Sequence, residues 1–480
     1  MRKTKIVATV GPACRKNGIL KTLISEGVDV FRVNASHTTS KSLKEWFYRI
    51  RKASKELKRN VAILVDLQGP RVRTGAVRDA SLRLKNGQMI RIEIGRQAAH
   101  ENVITTSCLP FMRMVKKGDP ILIDNGTIKL QVKEVQKKIV LCLVVEGGIL
   151  GENKGINLPN APVTLPALTA KDLVDLKSAS ALKANYIALS FVRSVDDVDA
   201  IKKWMRHHRV EIPVIAKVEK PKAVDDIGPI LEKADGIMVA RGDLGIEMGV
   251  EKVPGVQKML IEQAILSKIP VITATQMLES MMEAPHPTRA EVSDIANAVF
   301  DGTDAVMLSG ETAIGKYPVE AVRTMRKIIE EAEKNRKIQP RDEALSKNKK
   351  MANLRAITQA ALYAARELEA KAIMVFTLSG KTAQYVSKLN PQCTVIAVSR
   401  SVETLSRLNL LRGVKPIWVE KSSNMDEMIH RTDQEILRSK ILNRGDAVVI
   451  VYGRRALPGT LYTIAIHRIG GANTGVRVGA

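Results

Sequence analysis

Eight short aliphatic runs, each ending in polar residues, constrain the fold of this chain more than any other feature. Helical patterns separate these runs, which cover residues 5–11, 28–34, 61–67, 185–191, 213–219, 236–243, 270–276 and 305–310. Near-continuous apolar runs that alternate with helices are typical of parallel strands covered on both faces. Eight such units are the number that closes a (β/α)8 barrel. A six-stranded open sheet is the alternative.

The regular spacing of the runs breaks once, between Leu67 and Asn185. The intervening residues alternate between short apolar and polar runs, with Asn-Gly and Gly-Gly turns typical of an antiparallel β module. We predict that residues 70–166 form an inserted β-barrel lid over the carboxyl ends of the barrel strands, where barrel active sites lie. Residues 1–69 and 167–338 are assigned to the barrel, and residues 339–480 to a C-terminal α/β domain.

Composition argues against a membrane protein and against a disulfide-bonded secreted one. Hydrophobic residues make up 45% of the chain, but no apolar run is long enough to cross a bilayer, and no signal-peptide core follows Met1. The scattered cysteines lack zinc-ligand spacing and are expected to be reduced thiols: Cys14, Cys108, Cys142 and Cys393. A cytoplasmic location is expected.

The formal net charge of +26 raises nucleic acid as a partner, because basic surfaces attract phosphate. Aromatic residues are only 3% of the chain, which leaves few platforms on which bases could stack. Lysines and arginines also run along the whole chain without a basic tail. We therefore expect a surface that favours anionic substrates, and no dedicated nucleic-acid role.

Polar residues at the ends of the eight runs predict one site. Because the carboxyl ends of parallel barrel strands meet at a rim, these side chains should converge: Arg32, Asn34, Ser36, His37, Asp66, Ser190, Arg193, Lys217, Glu219, Arg241, Asp243, Thr275 and Ser309. Carboxylates, a strand lysine and arginines together indicate a phosphate or oxyanion site with a hard divalent metal. Period-two alternation places Lys217 and Glu219 on one side of their strand, where the lysine can stabilise developing charge. An ordinary inward-facing ion pair is the alternative.

Nine collinear segments between Lys3 and Val322 closely resemble the pyruvate kinase family, among them TKIVATVGPA, FRVNASH, IAKVEK and IMVARGDLGIE. The resemblance implies a TIM barrel with an inserted all-β lid and a C-terminal α/β regulatory domain. It also implies phosphate transfer from phosphoenolpyruvate to ADP, giving pyruvate and ATP in the last step of glycolysis. The implied cofactor is Mg2+, with Mn2+ as an alternative, and the implied assembly is a homotetramer.

The resemblance assigns roles to the rim residues. Arg32 would bind the phosphate being transferred, and Lys217 would stabilise charge on it. Glu219 and Asp243 would hold Mg2+. The remaining implied sites are Gly242 and Asp243 for the substrate carboxylate, Thr275 with Ser309 for the proton that ketonises the enolate, and Asn34, His37, Arg73 and Lys154 for the nucleotide with its own magnesium.

The chain departs from the family pattern at Leu67, Gln68 and Arg71. The usual K+ site uses the positions of Asn34, Ser36, Asp66 and the Leu67 backbone, and members with that site carry Thr-Lys at residues 67–68 and Glu at residue 71. This chain instead resembles members that need no monovalent cation and have lysine at position 71. We predict that K+ is not required and that the permanently charged Arg71 takes the cation's electrostatic role. A solvent-facing Arg71 is the alternative.

Two further sites are implied by the resemblance. The loop Ser379, Gly380, Lys381 and Thr382 matches a segment that binds an effector phosphate; a plain helix N-cap is the alternative. A sugar monophosphate, a nucleotide monophosphate or no effector all remain open. Thr288 and Glu291 predict a capping box, and the neighbouring Arg289 is expected at a subunit interface.

Two other functions compete with this interpretation. One is a different phosphoenolpyruvate or pyruvate barrel enzyme, such as an aldolase or mutase, which the inserted module argues against. The other is a catalytically silent, pyruvate-kinase-like regulatory or binding protein, which the full set of rim residues argues against.

Overall fold

The computed structural model describes residues 2–95, 99–159, 165–335, 352–420, 424–455 and 460–471. The chain opens with three strands and two helices, β1 (Lys5–Thr9), α1 (Ile19–Glu26), β2 (Val30–Asn34), α2 (Ser40–Glu56) and β3 (Ala62–Asp66). All residues of β1 and β3 are buried, because one face of each strand meets the barrel interior and the other meets the helices.

The inserted module follows. Within the described residues it contains β4 (Val72–Arg73), β5 (Ser81–Leu84), β6 (Met89–Ile94), β7 (Val103–Thr106), β8 (Pro120–Ile123), β9 (Ile128–Val135), β10 (Ile139–Glu146), β11 (Gly148–Gly151) and β12 (Gly155–Asn157). Seven of these strands form one sheet in the order β4-β12-β8-β9-β10-β6-β7, and β5 pairs with β11, so the described part is not one closed barrel. The antiparallel prediction is wrong for β6 and β7, which pair in parallel. Eight residues separate Ile94 from Val103, which is more than the two-residue turn of a tight hairpin.

The chain then completes the barrel. Its strands are β13 (Tyr186–Val192), β14 (Val214–Val218), β15 (Gly236–Ala240), β16 (Val271–Ala274) and β17 (Ala305–Leu308). The helices of this part are α3 (Ala170–Ala181), α4 (Val195–His207), α5 (Pro221–Asp225), α6 (Ile227–Lys233), α7 (Arg241–Met248), α8 (Val253–Leu266), α9 (Arg289–Asp301), α10 (Gly310–Ala313) and α11 (Pro318–Asn335).

The eight barrel strands close in the order β1-β17-β16-β15-β14-β13-β3-β2. The predicted eight-stranded barrel is confirmed, and the open sheet is excluded. The predicted run at residues 236–243 extends past its strand, because Arg241, Gly242 and Asp243 begin α7 instead of extending β15. The predicted capping box is present at α9, where Thr288 and Glu291 each bond the other's backbone.

The C-terminal part is a second α/β unit with α12 (Ala352–Glu367), β18 (Ala372–Phe376), α13 (Lys381–Lys388), β19 (Thr394–Ser399), α14 (Val402–Leu408), β20 (Val414–Trp418), α15 (Met425–Arg438), β21 (Ala447–Arg455) and β22 (Thr460–Arg468). Its sheet has the order β20-β19-β18-β21-β22, parallel except for β22. The predicted domain boundary after residue 338 lies outside the described residues. The boundaries at residues 69/70 and 166/167 remain predictions.

Separate apolar clusters fill the barrel, the inserted module and the C-terminal unit. The four cysteines are unpaired thiols, as expected, and burial raises the pKa of Cys14 to about 11. Among the residues that the structure describes, no helix combines the length and the apolar character needed to cross a bilayer.

Candidate active site

Lys217 lies at the centre of a buried cluster at the carboxyl ends of the barrel strands. Its Nζ is 2.8 Å from Ser190 Oγ, 2.9 Å from Glu219 Oε1 and 3.3 Å from Asp66 Oδ1. Burial alone would lower the pKa of Lys217, but the facing carboxylates of Asp66 and Glu219 outweigh it and raise the pKa. The ammonium therefore stays protonated, with its three donors directed at three acceptors.

Arg32 joins the cluster from β2. Its Nε donates to Asp66 Oδ2 at 2.7 Å and its Nη1 donates to Thr9 Oγ1 at 3.1 Å. Burial opposes ionisation of Asp66, yet Lys217 and Arg32 together lower its pKa, so the carboxylate stays charged. Because a guanidinium has five N–H groups, Arg32 keeps donors for a further anion.

The two expected metal ligands differ in environment. Glu219 is 1% exposed, and its Oε2 accepts a hydrogen bond from the Phe191 backbone N–H at 2.6 Å. Burial raises the pKa of Glu219; the nearby Asp243 charge raises it further and Lys217 opposes the rise. The side chain of Asp243 is 23% exposed, and its recorded ion-pair contact is Arg71 Nη2 at 3.9 Å.

These two carboxylates fit Mg2+ better than a metal that needs a complete protein cage. No group of three or more His, Cys, Asp or Glu side chains arranged for a metal occurs in the described part of the chain. Mg2+ commonly binds through one or two carboxylates and completes its shell with waters and substrate oxygens. Glu219 and Asp243 fit this type of site, and the cationic side chains of Lys217 and Arg71 lie beside them.

Helix α7 begins directly beside the cluster. The Gly242 N–H donates to Thr275 Oγ1 at 2.8 Å, and that hydroxyl lies 2.6 Å from the Ala274 carbonyl oxygen. Thr275 has a φ of +67°, an uncommon conformation for a β-branched residue. Strained backbone of this kind clusters at functional sites, where the surroundings hold it in place.

Two arginines predicted at the rim have structural partners instead. Arg241 is buried and bonds Asp294 at 2.7 Å and the Thr275 carbonyl at 2.6 Å, which fixes the turn after β16. Arg193 donates to Asp197 within α4. Sequence position alone could not separate these arginines from Arg32, because their partners lie in segments remote from the strand ends or in a following helix.

The remaining rim residues have mixed placements. Ser309 follows β17, and its Oγ is buried without a hydrogen-bond partner among the described residues. Asn34 Oδ1 accepts from the Ser36 N–H at 3.1 Å, and the Leu67 carbonyl oxygen lies 2.7 Å from Ser190 Oγ. Arg71 packs closely on Gly155, where a Cβ would lie 2.8 Å from its Nε.

A second basic region surrounds His37. Partial burial lowers the pKa of His37, and the nearby charges lower it further, namely Arg73, Arg32, Arg71 and Lys171. So many cations around one partly exposed imidazole favour an anion. Lys154 Nζ forms an ion pair with Asp124 Oδ2 at 2.9 Å, and Arg73 Nη1 donates to the Asn153 carbonyl oxygen at 3.0 Å. Both contacts lie within the inserted module.

Sequence reasoning missed Thr9, Phe191 and Lys171. Thr9 ends β1, so the rule used for the other strand ends would have found it. The backbone N–H of Phe191 gave no sequence signal. Lys171 anchors the loop of His37, with its Nζ 2.6 Å from the Ala35 carbonyl oxygen.

The predicted effector loop lies between β18 and α13. Gly380 has a φ of +83°, and its N–H donates to Thr377 Oγ1 at 2.9 Å. Ser379 and Lys381 are exposed, and Thr382 is half-buried. The loop is therefore accessible, and its role remains a prediction.

A closed parallel barrel with acids and cations gathered at one rim defines an enzyme of the barrel class that acts on small anionic substrates. Comparison with known proteins makes this specific. Residues 1–322 match the family described as pyruvate kinase, barrel domain, and residues 355–467 match pyruvate kinase, alpha/beta domain.

Individual relatives agree. Pyruvate kinase of Mycobacterium tuberculosis is 42% identical over 476 residues, covering 98% of this chain and 99% of the relative. That of Thermotoga maritima is 39% identical, covering 98% of this chain and all of the relative. The crystal structure of a pyruvate kinase from Cryptosporidium parvum matches with a TM-score of 0.89 at 33% identity, over 98% of this chain and 96% of that one.

The chain therefore belongs to the pyruvate kinase family. It is a phosphotransferase that moves phosphate between phosphoenolpyruvate and ADP. The two alternative interpretations, an aldolase or mutase and a catalytically silent regulatory protein, are not favoured.

Proposed function

We propose that this chain catalyses phosphoryl transfer from phosphoenolpyruvate to ADP at the rim cluster, with Mg2+ held by Glu219 and Asp243. The observation that carries the proposal is the buried, protonated Lys217 between Asp66 and Glu219. A fixed cation in a water-poor site stabilises charge on a transferring phosphoryl group without reorganising. When bound, the metal would neutralise the substrate's negative charge as a Lewis acid.

The substrate would be held from two sides. Arg32 has N–H donors left for the phosphate after binding Asp66 and Thr9. The start of α7, at Gly242 and Asp243, suits the carboxylate because helix N-termini favour anions. The Gly242 N–H donates to Thr275 Oγ1 and would have to leave that hydroxyl to bind the substrate. All three donors of Lys217 are engaged, so one must turn to the phosphoryl oxygen, and Glu219 is the acceptor expected to release it.

Thr275 is the proposed link to the proton that converts the enolate into pyruvate. Its hydroxyl accepts a hydrogen bond from the Gly242 N–H and donates one to the Ala274 carbonyl oxygen. The hydroxyl can therefore pass a proton only after it exchanges one of these two partners. Ser309, with its buried unpartnered hydroxyl, is a second candidate in this route. The nucleotide phosphates are assigned to the region of Asn34, His37, Arg73 and Lys154, together with a second magnesium.

Pyruvate formation tests this proposal directly. The purified chain should form pyruvate when it is given phosphoenolpyruvate, ADP and MgCl2. Lactate dehydrogenase and NADH, added to the same assay, report the pyruvate as a loss of NADH. Omission of ADP or addition of a chelator should stop the signal. Pyruvate release without ADP would instead point to a phosphatase or another barrel activity.

Potassium independence is a separate prediction. In tetramethylammonium buffer, adding KCl should change the activity of the parent enzyme less than twofold. Arg71→Glu should lower the activity in that buffer about tenfold, because it removes a fixed positive charge near Asp243 and His37. KCl should restore part of the loss.

The exposed Arg78 of the inserted module provides the matched control. Arg78→Glu makes the same charge change and should leave both activity and KCl response unaltered. Strong KCl activation of the parent enzyme would contradict the prediction.

We also propose a homotetramer in the cytoplasm. Exposed apolar side chains on α9, Val292 and Phe300, together with the exposed Arg289, support a subunit contact at this helix. Light scattering of the purified protein measures the mass. Titrating sugar and nucleotide monophosphates at low phosphoenolpyruvate tests the loop of Ser379, Gly380, Lys381 and Thr382.

A further inference from the structure

A buried acid on α7 lies outside the catalytic set. The side chain of Glu247 is fully buried, and its Oε1 accepts a hydrogen bond from Asn157 Nδ2 at 2.9 Å and pairs with the Lys220 ammonium. These three residues come from different parts of the fold. Asn157 ends β12 of the inserted module, Lys220 follows β14, and Glu247 lies on α7. We call them the hinge triad.

Each member of the hinge triad is next to a part of the active site. Lys220 directly follows Glu219, and Glu247 lies one helical turn after Asp243. Asn157 lies at the root of the inserted module, where β12 pairs with β4 through Ile156 and Val72. The hinge triad therefore connects the root of the module to the two segments that carry the proposed metal ligands.

The hinge triad has unused hydrogen-bonding capacity. Asn157 Oδ1 and Glu247 Oε2 are buried and have no partner among the described residues. Asn157 and Lys220 line a cleft of about 740 Å3, counting space open to solvent, together with Val72 and Phe191. Buried polar atoms are nearly always paired, so two spare acceptors at a contact that borders a cleft indicate bonds that are completed in another position of the module.

We infer that the hinge triad is the positioning contact through which the inserted module sets the substrate cradle at the start of α7 and the orientation of Glu219. Movement at the module's root changes the partners of Glu247 and thereby shifts α7 and the segment of Lys220. The triad touches no substrate, so its members are positioning residues. This inference rests on the proposed phosphoryl transfer.

Asn157→Asp tests the inference. The change removes the N–H donor and places a second carboxylate against Glu247, which repels it. We expect kcat to fall about tenfold and the half-activating Mg2+ concentration to rise severalfold, because small misplacements of reacting groups are costly. Asn125→Asp, in an exposed turn of the same module, is the matched control and should behave as the parent enzyme.

The double variant Asn157→Asp, Glu247→Gln restores one donor, one acceptor and the single negative charge. It should return kcat to within about threefold of the parent value, since double-mutant cycles isolate such a coupling. Hydrogen exchange of residues 70–73 and 155–158, measured without substrate, should rise in Asn157→Asp and recover in the double variant. Lys220→Met is a milder variant should Asn157→Asp fold poorly, and it should also raise the Mg2+ requirement.

The assay of the parent enzyme alone tests the proposed phosphoryl transfer, whereas the variants test the role of the hinge triad. The two proposals can therefore fail separately. The inference is overturned if Asn157→Asp and Lys220→Met keep kcat and Mg2+ dependence within twofold of the parent. It is also overturned if activity falls only in proportion to the loss of folded protein, or if the double variant recovers neither activity nor exchange.

Discussion

Lys217→Met should abolish measurable turnover, with an expected loss in kcat of about a thousandfold, while the barrel stays folded. Methionine fills similar space but cannot donate to the phosphoryl oxygens, and loss of one preorganised donor costs about a hundredfold to a thousandfold in enzymes of this kind. The fold should survive, because Asp66 still accepts a hydrogen bond from Arg32 and Glu219 still accepts one from the Phe191 N–H.

Steady-state assay with lactate dehydrogenase measures the loss, and thermal unfolding followed by circular dichroism checks the fold. Lys222→Met, an exposed lysine five residues further on, is the matched control and should retain full activity. Activity within tenfold of the parent in folded Lys217→Met protein would mean that this ammonium is not the charge that the reaction uses.

Asp243→Asn should lower activity at millimolar Mg2+ by about a hundredfold and raise the Mg2+ concentration needed for half activity. The substitution keeps the size of the side chain but removes one of the two anionic oxygen donors expected to hold the metal. Because the Asp243 side chain is partly exposed and its recorded ion pair is the long contact to Arg71, little stability should be lost.

Mg2+ titration of the steady-state rate separates weaker metal binding from a damaged site, since excess Mg2+ recovers rate only in the first case. The control is Asp196→Asn, which changes an exposed carboxylate on α4 and should leave the titration unchanged. An unaltered Mg2+ requirement in Asp243→Asn would remove this residue from the metal site.

Much of the fold followed from local pattern. All eight predicted runs form barrel strands, because an aliphatic run between helices is readable within one short segment. The capping box at Thr288 is equally local, since its two partners are three residues apart. The parallel pairing of β6 and β7 was missed because strand direction depends on the path of the connecting loop.

The candidate site divides in the same way. The sequence identified Lys217, Glu219 and Asp243, since each follows or ends a strand and strand ends share a rim. Position at a strand end could not distinguish Arg32, which contacts Asp66 on the neighbouring strand, from Arg193, whose partner Asp197 lies in the following helix α4.

By itself the sequence determined the strands, the family and the chemical types gathered at the rim, because these depend on periodicity and on residues close together in the chain. Only the tertiary structure decided which charges meet. Lys217 reaches Asp66, 151 residues earlier, and Glu247 reaches Asn157, 90 residues earlier. Such pairs arise from barrel closure and from the docking of the inserted module, and their energies depend on burial that no local pattern records.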